Sequence, residues 1–148
     1  MRSQTYHGSR KGGLARFALA ALAALALTAV AGAWLRVRPF RVVVAGDSMW
    51  PALVPGDCLV ATRAGSVLAG TVAVAEDPRT PGFEVCKRVV AGPGEAAGGR
   101  TLGPDEYWLL GDSPERSTDS RTFGPVRRDA IRGVIRFRYW PPARFGPV

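Results

Sequence analysis

Histidine is almost absent from the sequence, because His7 is the only one and lies in a basic stretch near the N-terminus. A Ser-His-Asp triad is therefore not expected. The two cysteines, Cys58 and Cys86, are too few for a disulfide framework, although one disulfide between them is an option in an exported domain. No cluster of cysteine and histidine suggests a metal site, and we expect neither a metal nor another cofactor.

Lysine is nearly as scarce, since Lys11 and Lys87 are the only two among 20 basic residues. Arginine does not deprotonate in proteins, whereas a lysine can act as a general base when burial lowers its pKa. Lys11 precedes a long apolar run, which leaves Lys87 as the one candidate base in the folded part. The alternative is that Lys87 is an ordinary surface lysine in an arginine-rich sequence.

The formal net charge of +8 is unevenly distributed along the chain. Residues 1–36 contain five basic residues and no acidic one, while residues 37–148 have a net charge of only +3. The C-terminal part therefore lacks the strongly basic character of most nucleic-acid-binding domains, and it contains no motif typical of them. We expect no nucleic-acid partner.

An uncharged run of 19 residues, 17–35, follows a polar and basic tail at 1–16. Its length and apolar character predict a single transmembrane helix that anchors the protein. A cleavable signal peptide is the alternative, because Ala29, Ala31 and Ala33 form small-x-small sites, but the run exceeds the usual signal core of about 7–15 residues. The slight excess of basic residues before the run predicts a cytoplasmic N-terminus.

From residue 39 onward, short apolar runs alternate with turns rich in glycine and proline. Six of these runs predict β-strands, at 41–45, 58–62, 71–75, 83–90, 107–110 and 130–139. No amphipathic helix of convincing length and no internal repeat is found. The pattern predicts an all-β domain over 39–148, a mainly antiparallel barrel or sandwich, joined to one N-terminal transmembrane helix.

Residues 46–51 (GDSMWP) follow the first predicted strand, where glycine and proline indicate a tight turn. Ser48 is therefore held where a strand ends and the backbone bends. A serine is a poor nucleophile at neutral pH unless a base lies beside it. In the strand predicted over 83–90, Lys87 and Arg88 point to opposite faces, so one of them can turn toward Ser48.

Residues 111–124 (GDSPERSTDSRTFG) form a long polar segment. The simplest interpretation is a solvated loop, but a long loop in a compact domain often carries function. A buried lysine amine needs a hydroxyl to orient it, and Ser117 is a candidate. Asp119 and Arg121 are spaced so that they can form an ion pair that holds the loop.

Three motifs, in this order, resemble the type I signal peptidase family, which comprises membrane-anchored serine proteases with a Ser-Lys dyad. The motifs are GDSMWPAL (46–53), KRVVAGPGE (87–95) and GDSPERSTDSRTFGPV (111–126). The resemblance extends over residues 17–148 and includes the tail RGVIRFRYWPPARFG (132–146). The short segment between the second and third motifs implies a minimal catalytic core.

The resemblance implies that Ser48 attacks the scissile carbonyl while neutral Lys87 takes its proton, and that Ser117 orients the lysine amine. The backbone N–H of Ser48 would form part of the oxyanion hole that stabilises the tetrahedral intermediate. Gly46 stands where some family members place a hydroxyl that adds to this hole.

The resemblance also assigns Asp119 and Arg121 to a structural ion pair near the site, and Val72, Ala73 and Val74 to the substrate-binding strand. The implied partners are the lipid bilayer and precursor proteins with small residues one and three positions before the cut. The implied location is the plasma membrane, with the catalytic domain on the extracytoplasmic side. General removal of signal peptides and maturation of one dedicated exported or leader-bearing substrate both fit such a protein.

Two other protein classes share parts of the pattern. Self-cleaving repressor proteases of the SOS type have a similar serine motif and a lysine base, but they need an N-terminal DNA-binding domain where this chain has an apolar run. A membrane-tethered β-domain that has lost activity and binds a partner is the non-enzymatic alternative. The joint presence of Ser48, Lys87 and Ser117 argues against it.

Overall fold

The computed structural model describes residues 11–63 and 66–148. Most of the predicted basic tail, including His7, therefore lies outside the described residues. The chain divides into two compact units, Met1–Arg36 and Val37–Val148. The assignment of these parts as tail, anchor and catalytic domain stays a prediction.

Helix α1 (Lys11–Val37) is the element described in the N-terminal unit. Alanine and leucine, both strong helix formers, make up much of it. Its large apolar side chains are exposed, to 78% for Phe17 and 70% for Leu27. Within the described residues, no helix combines the length and the apolar character needed to cross a membrane. The transmembrane helix predicted at 17–35 is therefore not confirmed.

The described part of the C-terminal unit contains ten strands and one short α-helix. The strands are β1 (Pro39–Val43), β2 (Cys58–Thr62), β3 (Val72–Glu76), β4 (Glu84–Ala91), β5 (Ala96–Ala97), β6 (Arg100–Thr101), β7 (Glu106–Leu110), β8 (Val126–Arg127), β9 (Ile131–Trp140) and β10 (Gly146–Pro147). The helix is α2 (Ser120–Phe123), and single 3₁₀ turns lie at Pro114–Arg116, Arg128–Ala130 and Pro142–Arg144.

Each of the six predicted strands corresponds to an observed strand whose ends differ by at most two residues. Strands β5, β6, β8 and β10 and helix α2 were not predicted, because two to four residues show too little periodicity to be recognised. All strand pairs are antiparallel, which confirms a mainly antiparallel all-β core.

The main sheet follows the order β1, β2, β9, β3, β4, β7, β8, with β10 paired to β9. In the described residues its end strands, β1 and β8, do not pair with each other, so the strands form an open path and not a closed barrel. Strand β3 lies near the middle of the sheet, between β9 and β4, and its backbone pairs with β4 along residues 84–88.

The sheet is covered on both faces, which explains why β3 is apolar at consecutive positions. Ala73 and Ala75 belong to one buried cluster, together with Leu109. Val72 and Val74 belong to a second cluster on the other side. All four β3 residues are 1% exposed or less, because side chains alternate between two faces that are both buried.

Both cysteines are free, so the disulfide that the sequence left open is not formed. Cys58 lies on β2 and Cys86 on β4, and these strands are separated in the sheet by β9 and β3. Burial raises the pKa of the Cys86 thiol to about 11. The thiol therefore stays protonated at neutral pH, as expected for a small apolar side chain.

Candidate active site

Ser48 lies in a tight turn between β1 and β2. Met49 and Leu53 are 1% exposed or less, so they anchor the turn in the core. Backbone hydrogen bonds from Trp50 N to Asp47 O (3.0 Å) and from Leu53 N to Met49 O (2.8 Å) define the path of the turn. Ser48 itself is partly exposed, which leaves its side chain open to a substrate.

Lys87 lies on β4, directly opposite Ala73 of β3. Only 4% of Lys87 is exposed, and its Nζ lies within hydrogen-bonding distance of Ser48 Oγ, at 2.6 Å. The next residue, Arg88, instead pairs with Asp112 over 2.6 Å. The fold thus brings together two residues that are 39 positions apart in the sequence and that the sequence predicted as nucleophile and base.

Burial lowers the pKa of Lys87 from its ordinary value of 10.5, and the charge of Asp119 only partly opposes this shift. A lysine with a lowered pKa is neutral more often near neutral pH, and its lone pair can then accept the proton of an adjacent hydroxyl. The contact between Lys87 and Ser48 therefore has the chemistry of a general base beside a nucleophile.

The polar segment that begins at Gly111 packs against the backbone of Ser48. Ser113 N donates a hydrogen bond of 3.0 Å to Ser48 O. A β-carbon placed on Gly111 would collide with both the Ser117 side chain and the carbonyl oxygen of Ser48. Only glycine fits at position 111, and its lack of a side chain lets the third motif approach the first.

Asp119 is fully buried and organises this polar segment. Arg121 donates two hydrogen bonds to its carboxylate, from Nε to Oδ1 (2.9 Å) and from Nη2 to Oδ2 (2.6 Å). Gly111 N (2.9 Å) and Ser117 Oγ (2.7 Å) also donate to Oδ2. Burial alone would raise the pKa of Asp119, but these donors outweigh it and hold the pKa well below its usual range.

Ser117 lies near Ser48, but its hydroxyl donates to Asp119 Oδ2 at 2.7 Å. Among the described residues, no hydrogen bond joins Ser117 to Lys87. The orienting role predicted for Ser117 stays a prediction. In this geometry its hydroxyl forms a hydrogen bond within the polar segment, to Asp119.

A cleft of about 500 Å³ opens beside Ser48 and Lys87. One wall is formed by residues 41–49, and the other by residue 83 together with residues 84–87 of β4. The buried side chain of Val74 also lines the cleft. No group of three or more histidine, cysteine, aspartate or glutamate residues that could hold a metal is found in the part of the chain that the structure describes.

The remaining predicted site residues are Gly46 and the three residues of the predicted substrate strand. Gly46 lines the cleft, and a β-carbon added to it would meet open space. Val72, Ala73 and Val74 lie on β3, which pairs with β4 on one side and β9 on the other. Their backbone therefore has no free edge, and of the three only Val74 lines the cleft.

Sequence reasoning missed the role of Arg88. Its Nε and Nη2 donate to the two carboxylate oxygens of Asp112 at 2.8 and 2.6 Å, and its Nη1 donates to Gly70 O at 2.8 Å. The residue after Lys87 is thereby joined to the residue before Ser113. Local spacing gives no signal for this pair, because 24 positions separate its members.

Comparison with known proteins finds a matching family and several similar proteins. The model of a family described as signal peptidase, peptidase S26, matches residues 14–98 and 95–140. The chain is 35% identical over 121 residues to the mitochondrial inner membrane protease subunit 1 of Xenopus tropicalis, which covers 72% of each chain. It is 36% identical over 122 residues to the mitochondrial ATP-independent inner membrane protease subunit 1a of Arabidopsis thaliana, covering 71% of this chain and 73% of the relative. A shorter match of 40 residues at 48% identity relates it to signal peptidase IB of Staphylococcus aureus, over 27% of this chain and 21% of the relative.

Proposed function

This serine peptidase belongs to the signal peptidase family, peptidase S26, and we propose that it removes signal peptides from exported precursor proteins with a Ser48–Lys87 dyad. The observation that carries the proposal is the 2.6 Å separation between Lys87 Nζ and Ser48 Oγ. Burial of a lysine disfavours its charged form and so destabilises the folded state. A buried lysine with a lowered pKa beside a hydroxyl in a cleft is therefore typical of a catalytic site.

The proposed reaction begins when neutral Lys87 takes the proton of Ser48 as Oγ attacks the scissile carbonyl. The backbone N–H of Ser48 donates to the developing oxyanion. Protonated Lys87 then gives its proton to the leaving amine and becomes neutral again. The neutral Lys87 amine next activates a water molecule, which hydrolyses the acyl-enzyme. Gly46 contributes no side chain, so the second donor to the oxyanion comes from another backbone group or from water.

The cleft has room for an extended peptide beside the β1 edge. Val44 directs both of its backbone groups toward the residues just before β2, since its N donates to Asp57 O (3.0 Å) and its O accepts from Gly56 N (2.9 Å). Neighbouring residues in an extended chain direct these groups to opposite edges, so Val43 and Ala45 present theirs toward the cleft. A substrate strand can add to this edge by backbone hydrogen bonds.

The opposite wall offers a second edge. Residues 84–86 of β4 pair with β3 on one side. Among the described strands, β7 pairs with β4 only from Arg88 onward, so residues 84–86 have no partner on the other side. We propose that the substrate lies between the two edges, which would hold its scissile bond beside Ser48.

Selection of small residues follows from this extended binding mode. Side chains one and three positions before the cut point to the same face of an extended peptide. The lining that this face would meet includes the buried side chains of Val44, Met49 and Val74, which leave little depth beside Ser48. Alanine fits such a shallow surface, whereas larger side chains do not.

We propose that α1 attaches the protein to the plasma membrane, with the catalytic unit at its extracytoplasmic face. Its support is the exposed apolar surface of α1, which includes Leu22, Leu25 and Trp34 at 64 to 68% exposure and is unfavourable in water. Two of the relatives are named as inner membrane proteases. Cell fractionation and protease accessibility of the full chain test attachment and orientation.

The function is tested by cleavage of a precursor with an Ala-x-Ala site, in detergent, by the full chain. The variants are Ser48→Ala, which removes the nucleophile, and Lys87→Arg, whose charge is fixed. Ser66→Ala is a matched control, because Ser66 is exposed and outside the cleft. We expect wild type and the control to cleave between the same residues and both site variants to lose activity by about 10²-fold or more.

Wild-type turnover that persists in Lys87→Arg would end the dyad assignment. Cleavage of one exported protein from the native cell, but not of general precursors, would identify a dedicated maturation protease. Absence of cleavage with every precursor, together with retention of a bound partner, would instead identify an inactive binding domain.

A further inference from the structure

A buried cluster lies behind the turn that carries Ser48, away from the cleft. Its members are Asp57, Arg138 and Arg144, called here the Asp57 cluster. Asp57 is fully buried, and its Oδ2 lies 3.2 Å from Nη1 of Arg138 and 3.2 Å from Nη1 of Arg144. The side chains of the two arginines are only 14% and 29% exposed, so the cluster is largely shielded from water.

The two arginines also bind the backbone of the turn itself. Arg138 Nη1 donates to Ala52 O at 2.9 Å. Arg144 Nη2 donates to Ala52 O at 3.1 Å and to Pro51 O at 3.3 Å. These carbonyl groups lie three and four residues after Ser48, within the same turn. Neither of them is used by the backbone hydrogen bonds that define the turn.

Further hydrogen bonds tie the cluster into one unit. Asp57 Oδ2 accepts from Val54 N at 3.1 Å, which fixes the end of the turn. Arg138 Nε donates to Arg144 O at 2.5 Å, and this bond joins strand β9 to the C-terminal segment. The cluster thus connects the turn to residues more than 80 positions away in the sequence.

We propose that Asp57, Arg138 and Arg144 are positioning residues, which fix the turn so that Ser48 stays within reach of Lys87. This inference rests on the proposed function, because it concerns the nucleophile of that reaction. The cluster touches neither Ser48 nor Lys87, and it acts through the backbone between positions 51 and 57. Its role is to hold the Ser48 hydroxyl and the Ser48 N–H in one geometry.

The contacts of the turn explain why such support is needed. On the cleft side, Ser48 is held by its hydrogen bond with Lys87 and by the bond from Ser113 N to its carbonyl. On the core side, Met49 and Leu53 are buried, but apolar packing alone tolerates small shifts. A shift of about 1 Å between reacting groups can reduce a rate by about 10²-fold. Directional hydrogen bonds from two planar guanidinium groups restrict such shifts.

The first test measures the turn directly and does not depend on turnover. Amide hydrogen exchange is followed by mass spectrometry in wild type, Arg138→Gln and Arg144→Gln. We expect exchange in a peptide spanning residues 48–57 to become about tenfold faster, while exchange in β4 and β7 stays unchanged. Arg136→Gln is the matched control, because Arg136 lies on the same strand as Arg138 and, among the described residues, its one side-chain hydrogen bond goes to the Thr62 hydroxyl, at 3.3 Å.

The second test measures kcat and KM on a peptide with an Ala-x-Ala site, well below the melting temperature of each variant. We expect kcat to fall by about 10- to 100-fold in both variants, with KM within about threefold of wild type. The pH midpoint of kcat should stay as in wild type, because Lys87 keeps its surroundings. Arg144→Lys keeps the positive charge beside Asp57 but lacks the planar fork, so it should restore melting temperature more than kcat.

Unchanged exchange in residues 48–57 would overturn the proposal, as would a kcat within about twofold of wild type in variants whose melting temperature alone has fallen. A higher KM at unchanged kcat would overturn it too, because it would indicate a role in substrate binding. If wild type and Ser48→Ala are equally inactive, the proposed function fails separately. The exchange data then decide alone whether the cluster holds the turn.

Discussion

Gly111 and Ser117 lie so close together that a β-carbon on Gly111 would overlap the Ser117 side chain. The same β-carbon would also collide with the carbonyl oxygen of Ser48. Gly111 N donates to Asp119, which in turn accepts from the Ser117 hydroxyl. One glycine therefore allows the polar segment to reach the backbone of the nucleophile turn.

The first prediction concerns Gly111→Ala. The added methyl group must displace either Ser117 or the Ser48 carbonyl, so we expect a loss of about 1–3 kcal/mol in the free energy of unfolding and a large fall in kcat. Urea unfolding and turnover of an Ala-x-Ala peptide measure the two effects. Gly92→Ala is the control, since a β-carbon there makes only ordinary contact with the Tyr107 ring, at 3.6 Å. Equal behaviour of the two variants would contradict the close approach at Gly111.

The second prediction is the pH dependence of turnover. Lys87 must be neutral to take the proton of Ser48, and burial lowers its pKa below 10.5. We expect kcat to rise from acidic toward alkaline pH, with a midpoint below the ordinary lysine pKa. Single-turnover cleavage across this pH range isolates the chemical step. A rate that is flat in pH under these conditions is incompatible with Lys87 as the base.

The third prediction is that Lys87→Met stabilises the fold while it abolishes cleavage. Because the folded pKa of Lys87 is lowered, the unfolded state binds more protons, and wild-type stability rises with pH between the folded pKa and 10.5. Methionine does not titrate, so we expect its gain, on the order of 1 kcal/mol, to be full below the folded pKa and to shrink toward pH 10.5.

Urea unfolding at several pH values measures this difference, with Ser48→Ala as the control that keeps the lysine charge. A gain for Lys87→Met that is constant in pH would show that burial of the charge is not its cause.

The strands were predictable because their signal is local. Alternating or continuous apolar runs bounded by glycine and proline predicted β2 and β9. The glycine and proline within residues 46–51 predicted the turn that carries Ser48. The scarcity of lysine made Lys87 stand out without any structure. Each of these features occupies a few consecutive residues, so the pattern of residue types directly indicates the local backbone conformation.

The rest depends on contacts between distant positions. Arg138 and Asp57 are 81 residues apart, and nothing in either local pattern indicates their pairing. Likewise, the sequence of Val72 to Val74 predicts an apolar strand, but the order of the strands in the sheet cannot be read from it. That order places β3 between β9 and β4, so neither backbone edge of β3 is free.

The fourth prediction uses the open space beside Gly46. A side chain there meets nothing within 4 Å, and the resemblance to signal peptidases suggests a hydroxyl at this position as an additional oxyanion donor. We expect Gly46→Ser to fold normally and to raise kcat by up to about tenfold. Gly46→Ala is its matched control and should give no gain. An equal rate in the two variants would show that a hydroxyl at position 46 does not reach the oxyanion.

The last prediction concerns Asp119→Asn. The folded pKa of Asp119 lies below its ordinary value of 3.8, so the carboxylate stabilises the fold above that value and its contribution is lost as pH falls toward the folded pKa. The variant keeps the shape but loses the charge that accepts from Arg121, Gly111 and Ser117. We expect a loss of about 1–3 kcal/mol at neutral pH, which shrinks in strong acid.

A matched control for this variant is Asp129→Asn, because the Arg127–Asp129 pair is long, at 3.5 Å, and both side chains are about 70% exposed. Such a surface pair should contribute nothing measurable to the free energy of unfolding. Urea unfolding of both variants at neutral and acidic pH therefore separates a buried, multiply bonded carboxylate from a solvated one. If the two losses are equal, or if the Asp119→Asn loss persists unchanged in acid, the charge of Asp119 does not hold the polar segment against the nucleophile turn.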